Sequence, residues 1–327
     1  MRCVYVSALC LALFSFYPSA NTAYGLDYVF EQLSLPGAEF TTPLDINNDG
    51  VVVGVTGNDF DGLPLLGGFV WRDGEFSMPD VGFLDAVFAA ISDSGLVAGT
   101  GFDFFSFTTP VFVLELDSGD IETFEVPDGF ISFPGGINGN GEVVGAYFGN
   151  EDEFLSFIRR NDEVGMISIP GLTEIGAADI NELGQIVGGA INEAGVYVGF
   201  ILQDETTTLI EHPEGETELL AINNLGQIVG SVFDGENSRA FIYDGSSFED
   251  VSFPDADETV IWGINDHGVI VGEYFVDDTD AGVGFIATPV PEPGGWLLAI
   301  FAFAGACSQR RPRLVLAVQS GSQIELD

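Results

Sequence analysis

The stretch AINNLGQIVG, Ala221 to Gly230, decides the fold because close variants of it recur along the whole chain. Each copy carries a polar turn that ends in glycine, followed by a short apolar run that ends in a second glycine. The copies are DINNDGVVVG (45–54), AISDSGLVAG (90–99), GINGNGEVVG (136–145), DINELGQIVG (179–188), AINNLGQIVG (221–230) and GINDHGVIVG (263–272). Their first isoleucines lie 42 to 46 residues apart. This period is typical of an array of supersecondary units.

Two further phrases recur between these copies. One is a phenylalanine followed by a β-branched residue, at 69–70, 112–113, 157–158, 200–201, 241–242 and 285–286. The other alternates apolar and polar residues and ends in proline, at 33–36, 76–79, 124–127, 167–170, 210–213 and 251–254. Alternation with period two predicts a strand with one buried face, and proline ends it because proline cannot donate to a ladder.

Each unit therefore predicts four antiparallel strands: one before the Asn-Gly turn, one after it, one at the phenylalanine and one before the proline. Asparagine and glycine at the turn suit a positive φ. Six such units predict an all-β protein, a six-bladed β-propeller of four-stranded blades. We expect no helix between Leu26 and Pro289, since no helical periodicity appears there.

The order of the strands predicts how the ring closes. A proline-ended strand at 30–37 precedes the first turn, whereas the last unit ends at GFIATP (284–289) without one. We therefore expect the N-terminal strand to pair with 284–288 in the last blade, which removes an exposed sheet edge. An open solenoid is the alternative.

The phrases RAFIYDG and AINNLGQIVG resemble the HAF-type extracellular repeats of bacterial exported proteins. The resemblance extends over nearly the whole region between the terminal segments. It implies a repeat fold and an extracellular location, and it implies no shared catalytic residue.

The N-terminus has the composition of an export signal. One early arginine, Arg2, precedes an apolar run that ends near Phe16, and small residues follow it. Residues 1–25 are predicted to be a signal peptide cleaved before Leu26, with Ala20 as an alternative cleavage point and an uncleaved anchor as the alternative. The three cysteines (Cys3, Cys10 and Cys307) all lie in the terminal segments, so we expect a propeller without disulfides.

The C-terminus contains a proline-glutamate-proline motif, an apolar run at 296–306 and then an arginine cluster. Together they resemble the PEP-CTERM sorting signal that an exosortase recognises. The residues that carry it are Pro291, Glu292, Pro293, Arg310, Arg311 and Arg313. The predicted boundaries are 26–290 for the propeller, 291–313 for the sorting signal and 314–327 for a C-terminal extension, which such signals usually lack. A plain membrane anchor is the alternative.

The charge of the chain excludes some partners. Its net charge is −43, and between Leu26 and Val290 the only basic residues besides histidine are Arg72, Arg159, Arg160 and Arg239. Such a surface repels nucleic acid and anionic membranes, so we expect no nucleic-acid partner and membrane contact only through the terminal segments. It attracts divalent cations and cationic partners. A high-salt habitat is the alternative explanation of the acidity.

Two features suggest cation sites. The sequence DINNDG matches the first half of a calcium-binding loop, with Asp45, Asn47 and Asp49 as candidate Ca²⁺ ligands. Thr56 stands where the bidentate glutamate belongs, so a polar turn is the alternative. The residues before the recurring isoleucine of each repeat are Asp45, Ala90, Gly136, Asp179, Ala221 and Gly263. This series places Asp45 and Asp179 opposite each other at the axis, either as an axial cation site or as ordinary carboxylates.

The loops between the second and third strands are expected to share one face with the connections between blades. They mix carboxylates with aromatic residues, a combination that suits sugars or cations. The candidate binding face comprises Asp59, Asp61, Asp103, Phe104, Phe105, Asp152, Asp234, Asp277 and Asp278. The alternative is that the phenylalanines fold inward beneath the loops.

No catalytic constellation is recognisable. His212 occupies an apolar strand position and His267 a turn, and neither has a cysteine partner in the sequence between the terminal segments. We therefore expect a non-enzymatic binding or structural module of the cell surface or extracellular matrix, with exopolysaccharide or cations as ligands. The alternatives are a polysaccharide hydrolase or lyase that uses loop carboxylates, and a matrix protein stabilised by Ca²⁺.

Overall fold

The computed structural model describes residues 28–60, 63–103, 105, 108–149, 153–276 and 282–290, and these form strands and turns with no helix. The strands are β1 (Tyr28–Gln32), β2 (Phe40–Ile46), β3 (Val52–Phe60), β4 (Leu63–Arg72), β5 (Glu75–Ser77), β6 (Leu84–Ile91), β7 (Leu96–Phe102), β8 (Val111–Glu115), β9 (Ile121–Phe124), β10 (Gly129–Ile137), β11 (Val143–Gly149), β12 (Phe154–Arg160), β13 (Glu163–Ile167), β14 (Leu172–Ile180), β15 (Ile186–Asn192), β16 (Tyr197–Gln203), β17 (Thr206–Ile210), β18 (Glu216–Ile222), β19 (Ile228–Phe233), β20 (Ser238–Tyr243), β21 (Phe248–Asp250), β22 (Glu258–Ile264), β23 (Ile270–Phe275) and β24 (Val283–Pro289).

Four groups of consecutive strands form separate antiparallel sheets of four: β6–β9, β10–β13, β14–β17 and β18–β21. The remaining eight strands form one sheet, in which β22, β23, β24 and β1 are joined to β2–β5. The expectation of six separate sheets is therefore corrected to five. The junction is a single parallel pair, Thr41 with Val283, so one point of contact merges two groups of four strands into one hydrogen-bonded sheet.

The N-terminal strand closes the ring as the sequence predicts. Strand β1 pairs with β24 in antiparallel register from Tyr28 opposite Pro289 to Gln32 opposite Phe285. The amide of Leu33 continues the pairing by donating to the carbonyl of Gly284 at 2.8 Å. The hydroxyl of Tyr28 donates to the carbonyl of Gly268, which ties the first strand to the last repeated turn. The two ends of the propeller thus stabilise each other.

Phe30 anchors this closing strand. Its ring centroid lies 5.0 Å from that of Phe253 and 5.3 Å from that of Phe285, edge-on to both. We expect Phe30→Ala to lower the free energy of unfolding by about 2 kcal/mol, because a half-buried aromatic contact is lost. Chemical denaturation measures this loss. Val29→Ala, on the exposed face of the same strand, should cost less than about 0.5 kcal/mol. Equal losses in the two variants would show that the closing strand is not anchored through Phe30.

The recurring phenylalanine of each repeat lies opposite the second glycine of that repeat on the neighbouring strand. In every unit the phenylalanine is fully buried and pairs across the sheet with that glycine, as in Gly230 opposite Phe241 and Gly54 opposite Phe69. A Cβ on Gly230 would collide with the carbonyl oxygen of Glu218 on the preceding strand and would lie 2.9 Å from the ring of Phe241. The glycine is therefore needed because the neighbouring backbone and the aromatic ring both approach it closely.

The turns confirm half of what their sequence predicts. The turn glycine has a positive φ in all six copies, from 72° at Gly268 to 84° at Gly95. The first asparagine of the phrase does not: Asn47, Asn138, Asn181, Asn223 and Asn265 lack a positive φ. The prediction of a positive φ at these asparagines is thus wrong. Their side chains have another role, described below.

Other boundaries differ in part from the expectation. The proline-ended strands are present but finish before the proline, as β5 does at Ser77 and β13 at Ile167. The sequence predicts that residues 57–67 form the first loop between a second and a third strand, but most of this stretch is strand, because β3 continues to Phe60 and β4 begins at Leu63.

The terminal segments fall outside the structure that can be described. The predicted signal peptide and the sorting-signal residues (Pro291, Glu292, Pro293, Arg310, Arg311 and Arg313) lie outside the described residues. Within the described residues, no helix has the length and apolar character needed to cross a membrane.

Candidate functional site at the propeller axis

The buried asparagines of the repeated turns form a ring around the axis. The amide nitrogen of Asn181 donates to the carbonyl of Asn223 at 3.1 Å, Asn223 donates to Asn265 at 3.0 Å, and Asn265 donates to Asn47 at 3.0 Å. Asn138 donates to the carbonyl of Asn181 and Asn47 to that of Ser92. Six turns thus take part, and five of the six junctions carry this bond. The junction without this bond lies between Ser92 and Asn138. A serine hydroxyl has a single donor, and that of Ser92 interacts with Ser94 and accepts the amide of Leu96.

Each ring asparagine also stabilises its own turn. The side-chain oxygen of Asn223 accepts hydrogen bonds from the amides of Leu225 and Gln227, at 3.1 and 2.9 Å. Asn47, Asn138, Asn181 and Asn265 make the same pair of bonds. One side chain therefore closes the local turn with its oxygen and joins the next blade with its nitrogen, which explains why this amide recurs.

The residues that follow the ring asparagines form a second polar layer. The amide of Asn224 donates to the carboxylate of Asp266 at 2.7 Å, and that of Asp266 donates to the side-chain oxygen of Asn48 at 2.8 Å. The side-chain nitrogen of Asn224 also donates to Asp93 at 3.1 Å, although 131 residues separate them. Side chains from distant repeats therefore meet and close this mouth of the axial channel with hydrogen bonds.

Behind this layer lie Asp45 and Asp179, which the sequence predicted to be opposite each other. Each carboxylate joins two successive repeats. Asp45 accepts the amide of its neighbour Ile46 with one oxygen and the amide of Ile91 with the other, both at 2.7 Å. Asp179 accepts from Ile180 at 2.7 Å and from Ile222 at 2.8 Å. The two aspartates are thus structural links between blades as well as charged groups.

The Asp-Ala-Gly series has a steric cause. The residue at this position in the preceding repeat faces each aspartate, and in both cases it is glycine. A Cβ on Gly263 would lie 3.0 Å from an oxygen of Asp45 and 2.9 Å from its Cα. A Cβ on Gly136 would collide with the carboxylate of Asp179. An aspartate at this position therefore requires a glycine at the same position of the preceding repeat. The following repeat, whose isoleucine amide donates to the aspartate, has an alanine there.

Burial of the pair disfavours its ionised form. Desolvation raises the pKa of Asp179 to about 7, although the amides of Ile222 and Ile180 oppose the rise. Desolvation also raises the pKa of Asp45 well above its usual range, and the negative charges of Asp179 and Asp93 add to the effect. The other titratable residues that line the channel, Glu182 and Asp266, are acidic too. The pair therefore holds a proton at pH values where an exposed aspartate is ionised.

The space at the axis is small. A polar cavity of about 40 Å³ lies among the two aspartates and the two asparagine-rich layers. It has room for a water molecule or a comparably small species and none for a substrate. Within the described residues, no three His, Cys, Asp or Glu side chains lie together in a group that could hold a metal ion. The geometry is that of a scaffold around a proton-binding carboxylate pair.

The structure does not assemble the candidate calcium loop. Both oxygens of Asp45 accept backbone amides and face the axis, and the side-chain oxygen of Asn47 is used within its turn. Asp49 is exposed at the tip of that turn. The three side chains thus have three different positions and roles.

The candidate binding face is described only in part. Asp61, Phe104, Asp152, Asp277 and Asp278 lie outside the described residues, as does the side chain of Asp59, which belongs to β3. Phe105 is 98% exposed, and its amide donates to Asp103 at 2.8 Å. Asp234 accepts the amides of Glu236 and Asn237, which lower its pKa. Phe105 therefore does not fold inward, and Asp234 stabilises its own loop.

The histidines have different surroundings. His212 packs against Phe248 and Phe241, with ring centroids 4.5 and 5.7 Å away, and burial lowers its pKa. The expectation that His212 packs among apolar residues is confirmed. His267 lies at a turn tip, where its amide donates to Asn265.

Sequence reasoning missed one polar pair between blades. The hydroxyl of Tyr197 donates to the carboxylate of Glu218 at 3.3 Å, and burial raises the pKa of both groups. Nothing in the repeat pattern marks these positions, because they lie where neighbouring sheets meet.

No family model matches the chain, and no curated protein matches it. Among solved structures, the β-propeller domain of the Trilobed protease from Pyrococcus furiosus is 12% identical with a TM-score of 0.50, over 76% of this chain and 94% of that one. TolB from Acinetobacter baumannii is 11% identical with a TM-score of 0.50, over 73% of this chain and 63% of that one. The fucose-binding lectin of Aleuria aurantia matches at 10% identity and a TM-score of 0.44, over 79% of this chain and all of that one. At these identities the likeness concerns the fold alone, which is a β-propeller.

Proposed function

We propose that this protein is an exported, non-enzymatic binding module of the cell surface or extracellular matrix, which presents an acidic β-propeller to cationic ligands. We further propose that the eight-stranded sheet acts as two blades, since only one parallel pair joins its halves, so that the ring has six blades. The turns around the axis support this count, because six of them take part in the hydrogen-bonded ring.

The observation that carries the proposal is the placement of the positive charge. Arg159 pairs with Glu122 and Asp162, Arg160 with Glu142, and Arg239 with Glu214 and Asp250. Three of the four arginines between Leu26 and Val290 are thus neutralised locally. Because the chain has 51 acidic residues against eight lysines and arginines together, the propeller surface carries a strong negative potential that concentrates cations.

The axial channel supports a scaffold function in the centre. Its side chains are committed to hydrogen bonds between blades, and its cavity of about 40 Å³ excludes a substrate-sized molecule. Ligand binding then falls to the outer surface and to the face with the longer loops.

The sequence resemblances support the location. The HAF-type repeats and the PEP-CTERM-like C-terminus favour export, processing by an exosortase and retention near exopolysaccharide. Exopolysaccharide is accordingly a second ligand class for the same module.

Binding measured together with turnover tests the proposal. The purified full chain should bind Ca²⁺ in isothermal titration, and raising the salt concentration from about 0.01 M to about 0.1 M should weaken binding severalfold, because the screening length falls from about 30 Å to about 10 Å. Incubation with acidic and neutral oligosaccharides should release no reducing ends. Release of reducing ends would instead establish the hydrolase or lyase alternative, and an absence of salt-sensitive cation binding would contradict the electrostatic argument.

A further inference from the structure

A cleft of about 640 Å³ lies where the sheet β10–β13 meets the beginning of β14. Its volume falls within the range of small-molecule sites in proteins. One wall is formed by Phe154 at the start of β12 and Met166 near the end of β13, and the other by Leu172 and Glu174 of β14. Neighbouring sheets of the ring therefore supply opposite walls.

The floor of the cleft is fixed by a buried serine. The hydroxyl of Ser156 donates to the carbonyl of Ile175 at 2.5 Å and accepts the amide of Ala177 at 2.8 Å. Both bonds cross from β12 to β14, so the two walls are held at a fixed separation. The cleft is therefore part of the ordered junction between two sheets.

The walls leave apolar surface exposed. Phe154 is 36% exposed and Met166 is 61% exposed. Phe154 belongs to a row of aromatic rings, since its centroid lies 5.5 Å from that of Phe148, which in turn lies 6.1 Å from that of Phe133. An exposed aromatic row beside a methionine is a surface that stabilises the apolar part of a ligand.

The charge of the cleft has one sign. Its described lining includes two acidic residues, Glu153 and Glu174, and no basic residue. Glu174 lies in a bulge of β14, where the register with β15 shifts between Thr173 and Gly176, and its φ is +49°. Both an aromatic ring face and carboxylates attract positive charge, so a ligand that fits this cleft is a cation with an apolar part.

We propose that this cleft, lined by Phe154, Met166, Leu172 and Glu174, binds an organic cation whose apolar part packs on Phe154 and Met166 and whose charge faces the glutamates. The chemical class is an alkyl or aryl ammonium or a guanidinium, free or at the end of a side chain. The proposal rests on the proposed binding function and names one ligand class and one site for it.

A pair of small probes of the same shape tests this proposal. Benzylammonium carries the charge and benzyl alcohol does not, and each is titrated into the full chain with binding followed by saturation-transfer NMR. We expect benzylammonium to bind and benzyl alcohol to bind at least roughly fivefold more weakly, because only the cation gains from the ring face and the carboxylates. Equal binding of the two probes would overturn the proposal.

Three variants locate the site. Phe154→Leu keeps an apolar side chain without the ring, and Glu174→Gln removes one charge, so each should weaken benzylammonium binding by about fivefold. The control is Glu216→Gln, since Glu216 is exposed and lies at the corresponding position of β18. It should change binding by less than about twofold. Thermal unfolding of each variant verifies that the fold is retained.

The outcomes separate this proposal from the broader one. If Glu216→Gln weakens binding as much as Glu174→Gln does, the cation senses the overall charge, and the cleft proposal fails while the proposed function stands. If benzylammonium does not bind although Ca²⁺ does, the cleft proposal fails alone. If neither cation binds, both fail.

Discussion

Replacing Asp179 by alanine should destabilise the protein at pH 5 and should destabilise it far less, or even stabilise it, at pH 8. Two effects oppose each other. The variant loses the acceptor for the amides of Ile180 and Ile222 at every pH, but it also removes a carboxylate whose ionised form is disfavoured by burial. Alanine occupies the corresponding position at residues 90 and 221, so the fold already accepts it there.

The direction of this pH dependence follows from the pKa of Asp179 in the folded protein. Burial raises the pKa of Asp179 from 3.8 to about 7, so the folded protein binds this proton more tightly than the unfolded chain does. The resulting stabilisation is complete below the unfolded pKa of about 4, and it is lost as the pH rises through about 7. A difference of this size corresponds to on the order of 4 kcal/mol.

Urea denaturation of the wild type and of Asp179→Ala at several pH values between about 5 and about 8 measures this effect. Over this pH range the difference in free energy of unfolding should shrink by roughly 2.5 kcal/mol, because part of the total change of about 4 kcal/mol occurs below pH 5. Asp120→Ala, which changes an exposed aspartate between β8 and β9, is the matched control and should show no such trend. A constant difference for Asp179→Ala would mean that burial does not raise the pKa of this carboxyl group.

Replacing Asn223 by alanine should lower the free energy of unfolding by roughly 3 kcal/mol, because several buried polar groups lose their partners at once. Asn223 is 4% exposed. Its nitrogen donates to the carbonyl of Asn265 and to the side chain of Gln227, and its oxygen accepts the amides of Leu225 and Gln227. Both the local turn and the link to the next blade are lost.

Two further variants serve as comparisons for the free energy of unfolding lost by Asn223→Ala. Asn223→Ser should cost less than alanine, because Ser92 occupies the same position in another repeat and its hydroxyl accepts the amide of Leu96. Asn140→Ala changes an exposed asparagine of an equivalent turn and should cost less than about 0.5 kcal/mol. Equal losses for Asn223→Ala and Asn140→Ala, measured by chemical denaturation, would show that the ring does not contribute to stability.

Much of the fold was predictable because the same strand and turn patterns recur in every repeat. Period-two alternation located the strands, and the offset between the first proline-ended strand and the last unit predicted that β1 pairs with β24. The position of the aspartates in the series also predicted that Asp45 and Asp179 face each other. These inferences depend on the order of the repeats along the chain. A ring in which successive repeats are neighbours preserves that order in space.

Other features were beyond sequence reasoning because they depend on distances between repeats. The single pair of Thr41 with Val283, which merges two groups of strands, depends on how closely two edges approach. The cleft at Phe154 depends on how β14 packs against the sheet β10–β13, to which Ser156 joins it. Neither distance is encoded in any local pattern.

By itself, the sequence determined the strand content, the repeated turn, the closing strand and the acidity, because local backbone preference, alternation and composition are properties of short segments. Only the tertiary structure decided that the recurring asparagines hold neighbouring blades together, that glycines at 136 and 263 make room for the axial carboxylates, and that burial raises the pKa of those carboxylates. These properties arise when six turns converge on one axis, since convergence buries polar groups that must then be satisfied by one another.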